Sequence, residues 1–530
     1  MYKFNSDNMK KKLKNKDSIF TKSQNILPFL WFRILVLFFL ILIAGGNLEL
    51  MAQKQWVVNP GDNYRTIFTQ LQPGDELILH QGIYEGSATI RKSGTLDKPI
   101  TIRGFGKGEE RPVLLLNSAN SNLYQVYASN LVFDFLEFQS KYSYAVRIGA
   151  TSEGSNFNNI TIKNCVFYKS GGGDISANAN VGYDNIQILD NYFVGPQKTP
   201  VYIGQQDGLA KVTNFLFKGN VIDGSQIYGS DIIGYGIQFK LNVTGSVIEN
   251  NYITNTKGPG IMVYGAVKSD SIYANIVRNN ILVGSREEAG IVAGGGPSAM
   301  VKNLTLGCNG GISVQNYGNR NLLHNVGLNS NTSACDVGFG MSFGNVQDIA
   351  AQNNLVITKD SLKAYIENPN KGINNKTINA SEELKKIVKE ELMYYMPARN
   401  NLEKIWQRLD SVPLTQANVL EIIDLILEYK IPLGGQRYPV SSPLLNSQAF
   451  QVTIYPNPTD DKVNIEFKNS FAEQVEVCVY TLTGKLAMRK NFKGMKHISF
   501  SMKDYVSGMY FVKLNLEGKE IVKKLVLNKK

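Results

Sequence analysis

Two side chains in this sequence have the types and the spacing to pass a proton between them. Lys240 closes the run Gly236-Ile237-Gln238-Phe239-Lys240 and Tyr264 closes the run Gly260-Ile261-Met262-Val263-Tyr264, so they hold the same place in consecutive copies of one pattern. A lysine can serve as general base and a tyrosine as general acid when their neighbours adjust the two pKa values. An arginine suits a carboxylate on which charge builds, and Arg278 or Arg286 is the candidate for that role.

The run itself says how these residues are held. It recurs as Asp174–Asn178, Pro200–Gly204, Gly290–Gly294 and Gly311–Gln315, with Ile175, Val201, Ile237, Ile261, Ile291 and Ile312 at one register position. In a strand, alternate side chains take opposite faces, so these aliphatic residues point inward and their neighbours outward. Stacking the copies makes two outward columns. One is Ser176, Tyr202, Gln238, Met262, Val292 and Ser313; the next is Asn178, Gly204, Lys240, Tyr264, Gly294 and Gln315. Lys240 and Tyr264 then sit on adjacent rungs, one strand spacing of ~4.8 Å apart at the backbone.

A second phrase returns between these copies. Ile160–Phe167, Ile186–Phe193, Leu216–Ile222, Val247–Ile253 and Ile276–Leu282 each place a few apolar residues on either side of an asparagine. The asparagines fall at 164, 191, 220, 251 and 280, in steps of 27, 29, 31 and 29 residues. A unit of that length cannot bury its own apolar face and has to stack on its neighbours. The period inside each unit is two, and Gly, Asn and Asp punctuate it, so the elements are short strands and tight turns. These features predict a mainly β chain wound as a parallel β-helix, with stacked asparagine amides satisfying backbone groups at the bends.

The N-terminal phrase Pro73-Gly74-Asp75-Glu76-Leu77-Ile78-Leu79-His80-Gln81-Gly82-Ile83-Tyr84, followed by Lys98-Pro99-Ile100-Thr101-Ile102-Arg103-Gly104, resembles the first turns of pectate-lyase-like right-handed β-helix proteins. Within that superfamily the chain is most similar to secreted polysaccharide lyases and epimerases of the chondroitinase B and alginate lyase type, over roughly Trp56–Thr358. The resemblance implies β-elimination on an acidic glycan. That reaction needs a base for the C5 proton, a cation or metal for the carboxylate, and an acid for the leaving oxygen. Read onto the outward columns, those needs are met by Lys240 as base, Tyr264 as acid and Arg278 or Arg286 as carboxylate partner, with Asn178, Tyr202, Gln238 and Asn242 lining subsites. Lyases of this kind place a lysine and an arginine on successive rungs, and here Tyr264 stands where the arginine is expected. Lys218, Glu249 and Arg278 also read as an alternating charge column of solvated pairs. A non-catalytic surface protein that binds glycan is the alternative, and a glycoside hydrolase a second one, although the columns supply no paired carboxylates.

The remainder of the chain bounds the setting. The formal charge of +12 divides into +6 for residues 1–33, +6 for residues 451–530 and zero between them, which excludes a nucleic-acid binder by charge. Basic residues and an apolar core of 11 residues at Ile34–Ala44 predict a signal peptide over residues 1–52, too short to span a bilayer. Rungs are expected over 53–358, with a short helix at Tyr64–Leu71 covering the first. Apolar residues at helical spacing predict helices at Glu382–Met396, Asn401–Leu409 and Gln416–Tyr429 within a region 359–433, forming a bundle or covering the exit end of the solenoid. A Gly/Pro/Ser-rich linker follows at 434–450. Cys308 and Cys335 lie 27 residues apart and are either a disulfide between neighbouring rungs or small buried hydrophobes. No cofactor is indicated; Asp190, Asp207, Asp223 and Asp231 could offer oxygens to Ca²⁺, without a recognisable calcium spacing.

Residues 451–530 alternate as Val452–Thr459, Val477–Lys485 and Gly508–Leu514, the pattern of a small β-sandwich. Through the terminal Lys523-Lys524-Leu525-Val526-Leu527-Asn528-Lys529-Lys530 the module closely resembles the type A C-terminal sorting domain of the type IX (Por) secretion system of Bacteroidetes. The resemblance implies export across the outer membrane, secretion machinery as a partner, and release or attachment at the cell surface.

Overall fold

A computed structural model of the chain describes residues 53–529 apart from 107–109, 150–155, 206–208, 225–233, 265–273, 295–296, 316–325, 330, 336–339, 344–348, 359–371, 374, 391, 393–394, 412–414, 429, 433–451, 468–471, 482–485, 496 and 517–518. The expected signal peptide and linker lie outside the described residues. Short strands separated by turns wind into coils, and each coil gives one strand to each of three parallel sheets. Sheet A runs from Gln55–Val58 to Gly372–Ile373, sheet B from Ile83–Glu85 to Lys376–Asn379, and sheet C from Ala88–Ile90 to Met341–Phe343. A coil's strands pair only with the coils before and after it, which is why no single repeat could fold alone.

The bends between sheets A and B have a two-residue rule. The first residue is left-handed, as at Asn164 (φ 52°), Asp190 (φ 54°), Asn250 (φ 53°) and Asn279 (φ 54°), a conformation that Asn, Asp and Gly tolerate best. The second is a buried asparagine. Asn191, Asn220, Asn251, Asn280, Asn303, Asn331, Asn354 and Asn375 form one ladder, each Oδ1 accepting from the backbone and side-chain amides of the asparagine before it. Each Nδ2 also donates to a carbonyl of the coil above, as Asn251 does to Phe217 at 3.0 Å. This corrects the sequence reading by one residue at its first step. Asn164 is the left-handed residue of its bend, and Cys165 takes the ladder position, donating its N–H to Asn191 Oδ1 at 2.9 Å.

Inside the coils the aliphatic and aromatic columns stack in register. Phe138, Phe167 and Phe193 lie with centroids 4.9 Å apart and planes within 9°, so each ring covers the next with offset π contact. Tyr64–Thr69 forms a 3-10 helix whose Tyr64 and Phe68 close the first coil. Cys308 is a buried free thiol in this core, so the disulfide with Cys335 is not formed and the alternative of a small hydrophobe describes Cys308. Burial pushes its pKa up to about 11, which makes it a poor nucleophile.

The solenoid does not stop at Thr358. Lys376–Asn379 pairs in parallel with Leu355–Thr358 and extends sheet B. Helices α1 (Glu382–Glu390), α2 (Arg399–Ser411) and α3 (Gln416–Glu428) follow. The first is shorter than expected, because Tyr395–Pro397 pairs antiparallel with Lys430–Pro432 instead. These helices pack along the flank of the solenoid and not as a free bundle. Leu402, Ile405, Leu409, Ile422 and Ile426 share one core with Tyr192, Val221, Tyr252, Ile281 and Leu304, the outward residues of sheet B. Beyond residue 451 a three-stranded and a four-stranded antiparallel sheet enclose a separate core that includes Val463, Val477, Phe500 and Val512. No helix among the described residues is long and apolar enough to cross a membrane.

Candidate functional site

Sheet C carries the proton-transfer candidates, and its register sets their neighbours. Ser176 pairs with Tyr202, Tyr202 with Gln238, Gln238 with Met262 and Met262 with Val292. Just past the ends of two successive strands, Ile237–Phe239 and Ile261–Val263, Lys240 Nζ donates to Tyr264 Oη at 3.2 Å. The ammonium also faces two rings, at 4.4 Å from the centroid of Tyr264 and 5.5 Å from that of Tyr202. Lys240 and Tyr264 are each 6% exposed. Burial lowers the Lys240 pKa to about 8, because the charged form loses its hydration.

On the rung before Lys240, Gly204 (φ +79°) sets no side chain against the lysine, and a Cβ there would stand 3.3 Å from Lys240 Cβ. Gln238 is 2% exposed, and its Nε2 has no hydrogen-bond partner among the described residues. An unpaired buried amide is costly, so it marks a place where an acceptor is missing. Further along the outward face, Met262 and Val292 are fully buried against Tyr235, Leu241 and Tyr264. The outward columns are therefore not open along their whole length, and Met262 and Val292 there form a small apolar cluster.

Of the remaining sequence candidates, Tyr202 and Gln238 lie beside the pair and Asn178 lies two rungs before Lys240, its Oδ1 accepting from Ser176 Oγ at 2.7 Å. Asn242 occupies a left-handed turn position (φ 62°) two residues past Lys240. The two arginines are not brought to the pair. Arg278 belongs to sheet A, where its Nε donates to Glu249 at 2.6 Å while Lys218 holds the same carboxylate at 2.9 Å. Its charge is spent in a ladder of alternating signs on another side of the coil. Arg286 sits in the turn that leads from sheet B into sheet C, at the opposite strand end from Lys240 and Tyr264. Sequence reasoning missed Arg147, which pairs with Ser176 and so stands in the Tyr202–Gln238 column two rungs before Tyr202. The alternation Val146-Arg147-Ile148 was the available signal.

Among the calcium candidates, Asp207 and Asp231 lie outside the described residues, Asp190 is at the A–B bend and Asp223 ends a strand of sheet B. Among the described residues no group of three or more His, Cys, Asp or Glu side chains could hold a metal ion.

The buried lysine has a stability consequence with a definite sign. Its folded pKa of about 8 is below the ordinary lysine value of 10.5, so between these values the unfolded chain binds more protons and stability rises with pH. Below about 8 the full penalty applies, of order 3 kcal/mol from the shift. Lys240→Met is expected to raise the solenoid's unfolding free energy at neutral pH by about 1–3 kcal/mol, with the gain shrinking as pH rises above about 8. Thermal unfolding of both proteins across that interval checks it.

Two family descriptions match parts of the chain: "Right handed beta helix region" over residues 153–326 and "Secretion system C-terminal sorting domain" over residues 453–528. Similar solved structures include an alginate lyase from Paenibacillus sp., at 16% identity, covering 56% of this chain and 97% of that one with a TM-score of 0.37. They also include a polysaccharide lyase of the PL6 family from Pseudopedobacter saltans, at 15% identity, covering 62% and 93% with a TM-score of 0.37. A rhamnogalacturonan lyase follows at 13% identity, covering 62% and 90% with a TM-score of 0.34. No curated protein matches the chain.

Proposed function

We propose, from the premise that this chain is a right-handed β-helix joined to a type IX secretion sorting domain, that it is exported to the cell surface or beyond and cleaves an acidic polysaccharide by β-elimination. The observation that carries the reading is the Lys240–Tyr264 pair, in contact at 3.2 Å with the lysine's pKa brought to about 8. A neutral Lys240 amine takes the C5 proton of a uronate, the C4–O bond breaks, a C4–C5 double bond forms, and Tyr264 gives its proton to the leaving oxygen. The Nζ–Oη contact then returns the proton from ammonium to phenolate, which resets the pair. Gln238 Nε2, without a hydrogen-bond partner among the described residues, donates to the sugar carboxylate, and Tyr202 and Asn178 line the approach. Arg147, three rungs before Gln238 in the same outward column, pairs with the carboxylate of a neighbouring uronate and so positions the chain, while the charge on the reacting uronate falls to Gln238.

One observation favours a second reading, glycan binding without cleavage: the pair is only 6% exposed on either side chain. A single experiment separates the readings. Incubation of the exported protein with alginate, pectate and chondroitin is expected to raise the ultraviolet absorbance of unsaturated uronate ends on at least one polymer. New reducing ends without that absorbance mean hydrolysis, and binding with neither means an adhesion protein; either result overturns the lyase.

A further inference from the structure

A cleft of about 550 Å³ lies between helix α2 and the A–B bends, on another side of the coil from Lys240 and Tyr264. The volume is within the roughly 300–1,000 Å³ of small-ligand sites. Glu403, Trp406, Gln407 and Asp410 supply its helical wall from one face of α2. Lys302 Nζ fastens that wall to the solenoid by donating to Asp410 Oδ1 at 2.9 Å.

The opposite wall is built by the left-handed bend residues. Asp190, Gly219, Asn250 and Asn279 come from successive coils, so they form a row with one position per rung, ~4.8 Å apart, a spacing comparable to one sugar residue of an extended chain. Gly219 (φ +69°) carries no side chain in the row, and the Asp190 carboxylate fills its place, since a Cβ there would meet Asp190 Oδ1 at 2.2 Å. An indole edge beside amides and carboxylates is the donor and acceptor set that sugar hydroxyls use, with apolar C–H faces against the ring. Trp406 is 8% exposed, and its Nε1–H is buried with no hydrogen-bond partner among the described residues, where a buried indole usually finds an acceptor.

The charge of the cleft selects the class of sugar. Among the lining residues Asp190, Glu403 and Asp410 stand against one lysine, Lys218, which is itself paired with Glu249 at 2.9 Å; Lys302 and Arg278 offset Asp410 from beside the cleft, and acid still outnumbers base. A uronate entering here meets like charge, whereas a neutral hexose or pentose does not. We propose that this cleft is a second carbohydrate site and that it takes neutral glycan, two or three sugar residues long. It requires nothing of the Lys240–Tyr264 pair.

The test uses the mature chain, whose tryptophans are Trp56 and Trp406, and the probes cellotriose, mannotriose, xylotriose and trigalacturonate. At least one neutral trisaccharide is expected to bind calorimetrically and to change the tryptophan fluorescence in a Trp56→Phe background, with trigalacturonate at least ~10-fold weaker at this site. Glu403→Ala and Gln407→Ala, both exposed on α2 and compatible with a helix, are each expected to weaken binding ~10-fold, while Lys240→Ala leaves it unchanged. Absence of binding by all three neutral probes overturns the proposal. So does binding that both α2 variants leave intact, or a preference for trigalacturonate.

Discussion

Replacing Lys240 by alanine is expected to lower the rate of polysaccharide cleavage by about 10²–10⁴-fold, the range that a positioned general base contributes. The side chain lies among Tyr264, Tyr202 and Gly204, and it carries the pair's only ammonium. Substrate affinity should change little, because Tyr202 and Asn178 remain, so the loss falls on kcat rather than KM. Tyr264→Phe should match it to within about an order of magnitude, since the ring stays and only the proton donor is removed. Arg278→Ala provides the contrast. Its guanidinium is held by Glu249 on sheet A, so activity should remain within about twofold, as expected for an exposed ion pair that does not touch the reaction. Steady-state rates on the cleaved polymer check all three.

The second large effect concerns the scaffold. Asn251→Ala removes four hydrogen bonds from a buried amide: those accepted from Asn220 N and Nδ2 at 2.9 and 3.2 Å, and those donated to Phe217 O and Asn280 Oδ1 at 3.0 and 2.8 Å. The groups left behind are buried. Each such orphan costs about 1–3 kcal/mol, and partial relaxation brings the expected total to about 3–5 kcal/mol. Asn164→Ala should cost only about 1 kcal/mol, for a left-handed conformation and one part-buried bond to Asp134. Denaturant unfolding of the solenoid, followed by circular dichroism, separates the two. Equal losses would place Asn164 in the ladder and contradict the assignment.

That pair of asparagines also shows where sequence pattern reaches its limit. Sheet C was legible because its alternation is strict: Ile175, Val201, Ile237, Ile261, Ile291 and Ile312 follow one another through the ladder as their sequence positions predict. At the A–B bends, asparagine satisfies two different demands in adjacent positions, a left-handed backbone and a buried amide. Asn250–Asn251 and Asn279–Asn280 fit either alignment, so Asn164 was assigned one residue away from the ladder. The position of Arg278 was lost for a different reason. Period two separates inward from outward but does not say which of three sheets an outward residue faces. Its column with Lys218 and Glu249 was visible as charge alternation, and that ion-pair reading is the one its contacts support. For the helices, the apolar stripes were plain while their partner was not. Tyr192, Val221, Tyr252, Ile281 and Leu304 form an outward yet apolar column, and such a face has to be covered.

The central claim is that a buried amine with a pKa near 8 removes the proton, and the pH dependence of kcat/KM on the cleaved polymer tests it most directly. The account predicts a limb that rises with pH through about 8, as Lys240 loses its charge, and a Lys240→Ala protein in which that limb is gone. A rate that falls as pH passes upward through the same interval, or a rising limb that survives in Lys240→Ala, contradicts it.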